Sequence, residues 1–314
     1  MKLLYPTSLH MDPTLLSSLP CTIHSYDVTQ PIPPSHHDAE ILITWSNAPS
    51  NLTHAATHLP NLRLIQSLAA GPNDVLAAGF NPSTIAICTG SGLHDHTVAE
   101  HALGMLLLAA RRFDEMKEYQ LRSEWPGHLG GPQPDRPQGR FTSLRGANVL
   151  VWGYGNIAKT LAPHLKSLGA NVKGVARSKG MRDGVEVISE EEMEEALKST
   201  DALVMILPGS DATRNKLNAA RIAQMQKHAW VVNVGRGTTV DEEALADALE
   251  EGRLGGAALD VFVTEPLPKG SRLWKARNCI VSPHAAGGRP QGAEELIVEN
   301  VTRLVEGREL KNVI

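Results

Sequence analysis

Residues 148–158 read NVLVWGYGNIA, and a helical pattern follows to about residue 168. An apolar run enters Gly153-x-Gly155-x-x-Ala158 and leaves as a helix. In such a strand–turn–helix unit the first glycine makes a tight turn and the second lets a pyrophosphate approach the backbone. The small third residue allows the helix to lie close on the strand. The free N–H groups and dipole of the helix start then face the anion. The strand before and the helix after supply the context that a glycine pattern alone lacks. The unit predicts a dinucleotide-binding Rossmann domain, with Gly153, Tyr154, Gly155, Asn156 and Ile157 at the cofactor.

The alternation continues on both sides. Strand-like runs fall at 2–6, 21–26, 40–45, 63–68 and 84–90, with helix-like segments at 12–19 and 52–59 between them. After residue 147 strands read at 148–152, 171–176, 202–207, 230–234, 256–261 and 279–282, and helices at 156–168, 189–199, 219–227, 241–252 and 290–311. Strand–helix alternation of this kind predicts an α/β fold with doubly wound parallel sheets. Residues 97–119 read as one long helix, apolar nearly all round in its first half, so it needs cover from its own domain or from a second subunit. The Pro- and Gly-rich stretch 125–146 reads as a loop, a hinge or a cofactor-flanking connection.

The 314 residues allow two domains, and 42% hydrophobic with 20% charged residues describes a soluble globular chain. A formal net charge of −4 argues against nucleic acid or an anionic membrane as partner. The apolar run 102–110 is too short to span a bilayer, and the N-terminus makes a poor signal peptide. Cys21, Cys88 and Cys279 are too few and scattered for a disulfide framework and read as buried thiols, which points to the cytoplasm.

Four strand ends carry chemistry. The second strand of the Rossmann unit closes on Ala176, Arg177, Ser178 and Lys179, where an NAD site would place an acid to bind the ribose 2′-hydroxyl. An arginine, a hydroxyl and a lysine attract a 2′-phosphate instead, so NADP is the expected cofactor and NAD the alternative. Arg236 stands between Gly235 and Gly237 after the strand 230–234, where a permanent cation would grip a carboxylate bidentately. Glu265 and His284 follow the next two strands. An anchor, an acid/base and a carboxylate that keeps the imidazole protonated suit hydride reduction of an anionic 2-keto acid.

Together the blocks GYGNIA, VVNVGRG, LDVFVTEPLP and SPHAAGG, with HTVAEHALGMLLLAARR and SLAAGPNDVL, resemble the D-2-hydroxyacid dehydrogenases over essentially the whole chain. The resemblance implies Arg236, Glu265 and His284 as catalytic residues. It places the substrate carboxylate at the N–H groups of Ala70 and Gly71 with Arg236. It sets Thr97, Val234 and Asp260 at the nicotinamide, and Leu207, Pro208, Thr213, Gly235 and Ala286 elsewhere along the cofactor. It further implies a flavodoxin-like substrate domain, residues 1–96 plus 287–314, around a Rossmann domain, residues 97–286. Dimers form through the nucleotide domain in this family. Trp45 and the ARS strand end are most similar to glyoxylate/hydroxypyruvate reductases that use NADPH; Trp45 either shapes the substrate pocket or is a core aromatic.

The histidines of HDHTVAEH, His94, His96 and His101, lack metal-ligand spacing, since His96 and His101 are five positions apart and a helical pair wants three or four; no metal is expected. They read as capping, packing or cleft-lining residues. The acidic run 189–198 reads as a solvated helix face. Three rivals share the fold. One is a formate or phosphite dehydrogenase, of which the formate enzymes would carry glutamine in place of Glu265. An NAD-dependent phosphoglycerate-type dehydrogenase is expected to continue into regulatory domains. A non-enzymatic, corepressor-like dinucleotide sensor would keep the fold without turnover.

Overall fold

The computed structural model describes residues 1–132, 140–276 and 278–314. The chain forms two compact units, residues 1–94 with 289–314, and residues 95–288. Residues 133–139 of the Pro- and Gly-rich loop lie outside the described residues.

The first unit begins with β1 (Lys2–Pro6), α1 (Pro13–Leu16), β2 (Thr22–Tyr26), β3 (Ile41–Thr44), α2 (Pro49–His58), β4 (Leu64–Ser67), α3 (Asn73–Ala77) and β5 (Ala86–Cys88). Its sheet runs β2-β1-β3-β4-β5, parallel throughout. This is the flavodoxin-like strand order. Successive residues feed opposite faces. Leu3, Ile41, Ile43 and Leu64 join one apolar cluster, and Leu4, Leu42 and Ile65 join the other. A strand buried on both faces needs this unbroken apolar run.

The second unit opens with α4 (Asp95–Arg111) and α5 (Phe113–Leu121). The single helix expected over 97–119 is therefore two. Arg112 takes a left-handed conformation, φ 55°, and breaks it. The face of α4 carrying Val98, Ala102, Met105, Leu106 and Ala109 is buried in the core, whereas Leu103, Leu107 and Leu108 are half-covered.

Then come β6 (Asn148–Trp152), α6 (Asn156–Ser167), β7 (Asn171–Val175), β8 (Gly180–Arg182), β9 (Val185–Ile188), α7 (Met193–Leu197), β10 (Ala202–Met205), α8 (Ala219–Ile222), β11 (Trp230–Asn233), α9 (Glu242–Glu250), β12 (Gly256–Leu259) and β13 (Cys279–Val281). The order β13-β12-β11-β10-β6-β7-β9-β8 is the Rossmann order with one parallel strand added at one edge and an antiparallel β8 at the other. The β8–β9 hairpin was absent from the sequence reading. The helices expected at 189–199 and 219–227 shrink to α7 and α8. The chain ends with α10 (Ala293–Val305), shorter than the expected 290–311, which packs back on the first unit through Leu296, Ile297 and Val301.

Cys88 is buried, but Cys21 and Cys279 are only partly so, and all three are free thiols. Among the described residues no helix is long and apolar enough to cross a membrane.

Candidate active site

The turn after β6 shows why its glycines sit where they do. Gly153 has φ +99°, and a Cβ there would lie 2.6 Å from the Ile206 carbonyl oxygen. At Gly155 a Cβ would meet nothing within 4 Å, so the backbone is bare toward open space. Ala158 is fully buried where α6 meets the sheet. Gly155 is the N-cap of α6, with no side chain capping the first turn. Its donors are free for an anion.

Beside this turn lies a cavity of about 1090 Å³, lined by Gly153, Tyr154, Gly155, Ala176, Arg177, Ser178, Leu207, Pro208 and Thr213 among others. Tyr154 is 2% exposed, and its ring lies against Gly174, where a Cβ would sit 2.4 Å from it. Asn156, Ile157, Val234, Gly235, Ala286 and Thr97 do not line this cavity. Val234 and Ala286 are buried, and Thr97 donates its hydroxyl to the Gly287 carbonyl at 2.8 Å. The fit to a phosphorylated dinucleotide is good: a bare backbone meets an uncapped helix start, no acid closes β7, and Arg177 is exposed with no ion pair among the described residues.

Arg182, Glu190, Glu191 and Lys216 also line the cavity, beyond the site residues expected from the sequence. Arg182, on β8, donates to the Tyr154 carbonyl at 3.0 Å and to the carbonyl and hydroxyl of Ser178, both at 2.6 Å. It ties the glycine turn to the end of β7. The signal for its hairpin was present: Asp183-Gly184 sits between alternating residues, and both have positive φ, 49° and 72°, as a type I′ turn requires. Glu190, expected on a solvated helix face, instead lies in the loop before α7. It pairs with Lys216 and accepts from the Trp152 indole N–H at 3.4 Å. Lys179 is drawn to Glu192, 3.5 Å away.

Arg236, Glu265 and His284 follow β11, β12 and β13, three neighbouring parallel strands, at their carboxyl ends. A Cβ on Gly235 would lie 2.6 Å from the Leu207 carbonyl oxygen, and one on Gly237 would lie 1.9 Å from the Phe262 carbonyl carbon. The chain is thus wedged between the exits of β10 and β12, and Arg236 is the one side chain of the three positions. Asn233 shapes this turn, with its Nδ2 donating to the Arg236 carbonyl at 3.1 Å and its Oδ1 accepting from the Gly235 N–H at 3.1 Å. An asparagine closing an apolar strand was the available signal. Arg236 itself is half-buried and donates to the Gly235 carbonyl at 2.7 Å.

His284 Nδ1 lies 2.7 Å from Glu265 Oε2, and Glu265 Oε1 accepts the Phe262 N–H at 2.8 Å. The Glu265 hydrogen bond holds the imidazole above its ordinary pKa, against the pull of burial and of the Arg236 charge. Burial pushes the Glu265 carboxyl up. The hydrogen bonds from His284 and Phe262 outweigh it and leave that carboxyl below its usual range.

Asp260 is fully buried. Its carboxylate accepts from the Ser282 hydroxyl, from Ala285 N–H at 2.8 Å and from Ala286 N–H at 2.9 Å. These bonds span the turn that carries His284. His101 Nε2 lies 2.9 Å from Ser282 Oγ and 3.4 Å from Asp260.

In the first unit, Ala70 and Gly71 follow β4, and their N–H groups meet no acceptor among the described residues. Trp45 is half-buried, on the edge of the apolar cluster, and its ring stacks on that of His94.

Residues 103–286 match the family model described as D-isomer specific 2-hydroxyacid dehydrogenase, NAD binding domain. A glyoxylate/hydroxypyruvate reductase A from Serratia proteamaculans is 34% identical over 217 residues, 68% of this chain and 66% of that protein, slightly less than two thirds of its length. Among solved structures, a D-isomer specific 2-hydroxyacid dehydrogenase family protein from Aeromonas salmonicida superposes with TM-score 0.84 at 27% identity, covering 100% of this chain and 98% of that one. An NADPH-dependent glyoxylate/hydroxypyruvate reductase from Sinorhizobium meliloti, solved with NADP and sulfate, superposes with TM-score 0.80 at 25% identity, covering 100% and 97%. The strand order, the glycine turn and these likenesses agree, and the chain belongs to the D-isomer specific 2-hydroxyacid dehydrogenase family of NAD(P)-dependent oxidoreductases.

Proposed function

We propose that the protein reduces small 2-keto acids of the glyoxylate and hydroxypyruvate class to the D-2-hydroxy acid with NADPH. The observation that carries this reading is the His284–Glu265 pair beside Arg236 at three adjacent strand ends. NADPH, when bound, supplies the hydride. Arg236 grips the substrate carboxylate, and in the first unit Ala70 and Gly71 offer open N–H groups to a carboxylate. His284 uses Nδ1 to donate to Glu265, which leaves Nε2–H to give its proton to the carbonyl oxygen as negative charge develops there. Asp260 fixes the turn that aims the imidazole. Gly153, Gly155 and the start of α6 hold the pyrophosphate, and Arg177 and Ser178 take the 2′-phosphate.

The residues at the end of β7 favour this reading over an NAD-dependent phosphoglycerate-type dehydrogenase, because Ala176, Arg177 and Ser178 stand where an acid would bind a free 2′-hydroxyl. Residues 1–94 with 289–314 serve as the substrate-binding domain and 95–288 as the nucleotide domain. The protein acts as a homodimer in the cytoplasm. The half-covered Leu103, Leu107 and Leu108 on α4, with exposed Phe113, Leu121 and Trp125, support the second subunit, and three free thiols suit a reducing compartment.

The test is the initial rate of cofactor oxidation with glyoxylate and with hydroxypyruvate, run with NADPH and NADH in parallel. NADPH-selective turnover is expected. NADH-selective turnover would remove the cofactor assignment and keep the mechanism. No turnover with either would favour a dinucleotide sensor.

A further inference from the structure

His94, which the sequence offers as a capping, packing or cleft-lining residue, has a specific place in the structure. It is 4% exposed, among the few buried polar residues of the first unit. Its Nε2 lies 2.7 Å from the Leu68 carbonyl oxygen. A carbonyl only accepts, so Nε2 carries the proton and donates. The imidazole ring stacks on the Trp45 indole, with centroids 5.2 Å apart and planes 16° apart.

Leu68 opens the segment Leu68–Gly71. The Leu68 N–H donates to the Thr44 carbonyl at 2.9 Å, which continues the β4 ladder. The Ala69 carbonyl accepts from the Gly90 N–H at 2.7 Å. Gly90 lies so close that a Cβ there would sit 2.2 Å from the Leu68 carbonyl oxygen. Two successive carbonyls, Leu68 and Ala69, are therefore tied back to the Gly90–His94 segment. The next two N–H groups, on Ala70 and Gly71, meet no acceptor among the described residues. Consecutive backbone N–H groups left open in this way form an anion-binding nest.

We propose that His94 is a positioning residue that sets both walls of the substrate subsite in the first unit: its N–H fixes the nest of Ala70 and Gly71, and its ring fixes the plane of Trp45. This rests on the reading of the nest as the seat of the substrate carboxylate. His94 itself touches neither substrate nor cofactor. The imidazole combines two things at one position, a donor on its rim and a flat aromatic face.

Two substitutions separate the two tasks. His94→Phe keeps a ring for Trp45 and removes the donor. His94→Gln keeps an N–H that reaches Leu68 and removes the ring. The KM for glyoxylate in His94→Phe is expected to rise about tenfold, the effect of one ordinary hydrogen bond. Its kcat should change less than about threefold, and its KM for NADPH should not change. His94→Gln should recover the glyoxylate KM to within about threefold and lose discrimination between glyoxylate and the larger hydroxypyruvate, because Trp45 is released. Thermal melting of both variants shows that they are folded. Calorimetric binding of oxalate to the NADPH-saturated enzyme repeats the comparison without turnover. Equal KM and equal oxalate affinity in wild type and folded His94→Phe would overturn the proposal. A loss of kcat, NADPH affinity and oxalate affinity together would also overturn it, since that marks a general structural role. Wild-type enzyme that binds oxalate but reduces no 2-keto acid would remove the proposed reaction and leave the nest and His94 to be judged by oxalate alone.

Discussion

His284 Nδ1 and Glu265 Oε2 are 2.7 Å apart, although nineteen residues separate them in the chain, and the second Glu265 oxygen is held by the Phe262 N–H. The carboxylate is thus fixed by its own loop before it meets the imidazole. The imidazolium gains from that charge, so His284 keeps its proton to higher pH than a free histidine. Reduction needs the protonated form, and its rate falls as pH rises through the raised pKa. Glu265→Gln preserves the shape but removes the charge. The upper limb of the kcat/KM profile for reduction should move to lower pH, and the rate at neutral pH should fall about tenfold or more. An unchanged profile would show that Glu265 does not hold the proton on His284.

Arg236 offers the permanent cation for the substrate carboxylate. Arg236→Ala should lower kcat/KM for glyoxylate about a hundredfold, the range for a lost charge-assisted pair, with the KM for NADPH unchanged. Steady-state rates with each substrate varied in turn decide this. Wild-type kcat/KM would end the anchor role.

The two glycines of the β6 turn should fail in different ways. Gly153→Ala adds a Cβ 2.6 Å from the Ile206 carbonyl at a positive φ. It should cost about 2–4 kcal/mol of stability, read by chemical denaturation of the cofactor-free protein. Gly155→Val adds bulk to open space. It should leave stability nearly unchanged and weaken NADPH binding sharply, read by fluorescence titration. Equal destabilisation by both would make the turn a packing device alone.

Arg177 and Arg182 share the end of β7 in different capacities. Arg177 has no ion pair among the described residues, whereas Arg182 is engaged with Tyr154 and Ser178. Arg177→Ala should raise the KM for NADPH about tenfold or more and that for NADH less than about threefold. Arg182→Ala should weaken both cofactors, since it frees the glycine turn as well as Ser178. The ratio of the two effects, measured against 2′,5′-ADP and 5′-AMP as competitive inhibitors, separates direct contact from positioning.

Asn300 anchors the returning C-terminal helix. It is fully buried, and its amide donates to Gln66 Oε1 at 2.6 Å and accepts from the Lys311 N–H at 2.8 Å. Asn300→Ala leaves Gln66 Oε1 buried without this partner. A loss of about 2–4 kcal/mol is expected in denaturation of the whole chain, with NADPH affinity unchanged.

The sequence by itself determined the elements and the ends that matter. Apolar runs of strand length alternating with helical periods specify parallel sheets, because a strand buried on both faces must be apolar throughout. Local backbone rules fixed the glycine turn before α6 and set Arg236, Glu265 and His284 just beyond strand ends. Those signals are short-range and survive in one dimension. The β8–β9 hairpin was legible too, through Asp183-Gly184, but its strands are too short to stand out by periodicity. Tertiary structure alone decided which distant groups meet. Glu190 turned from a solvated helix face to Lys216, Asp260 spent its carboxylate on the His284 turn, Arg112 split a helix that periodicity joined, and His94 found Trp45 and Leu68. The meetings of Glu190 with Lys216, of Asp260 with the His284 turn and of His94 with Trp45 and Leu68 join partners that lie far apart in sequence, and no local pattern encodes such a distance.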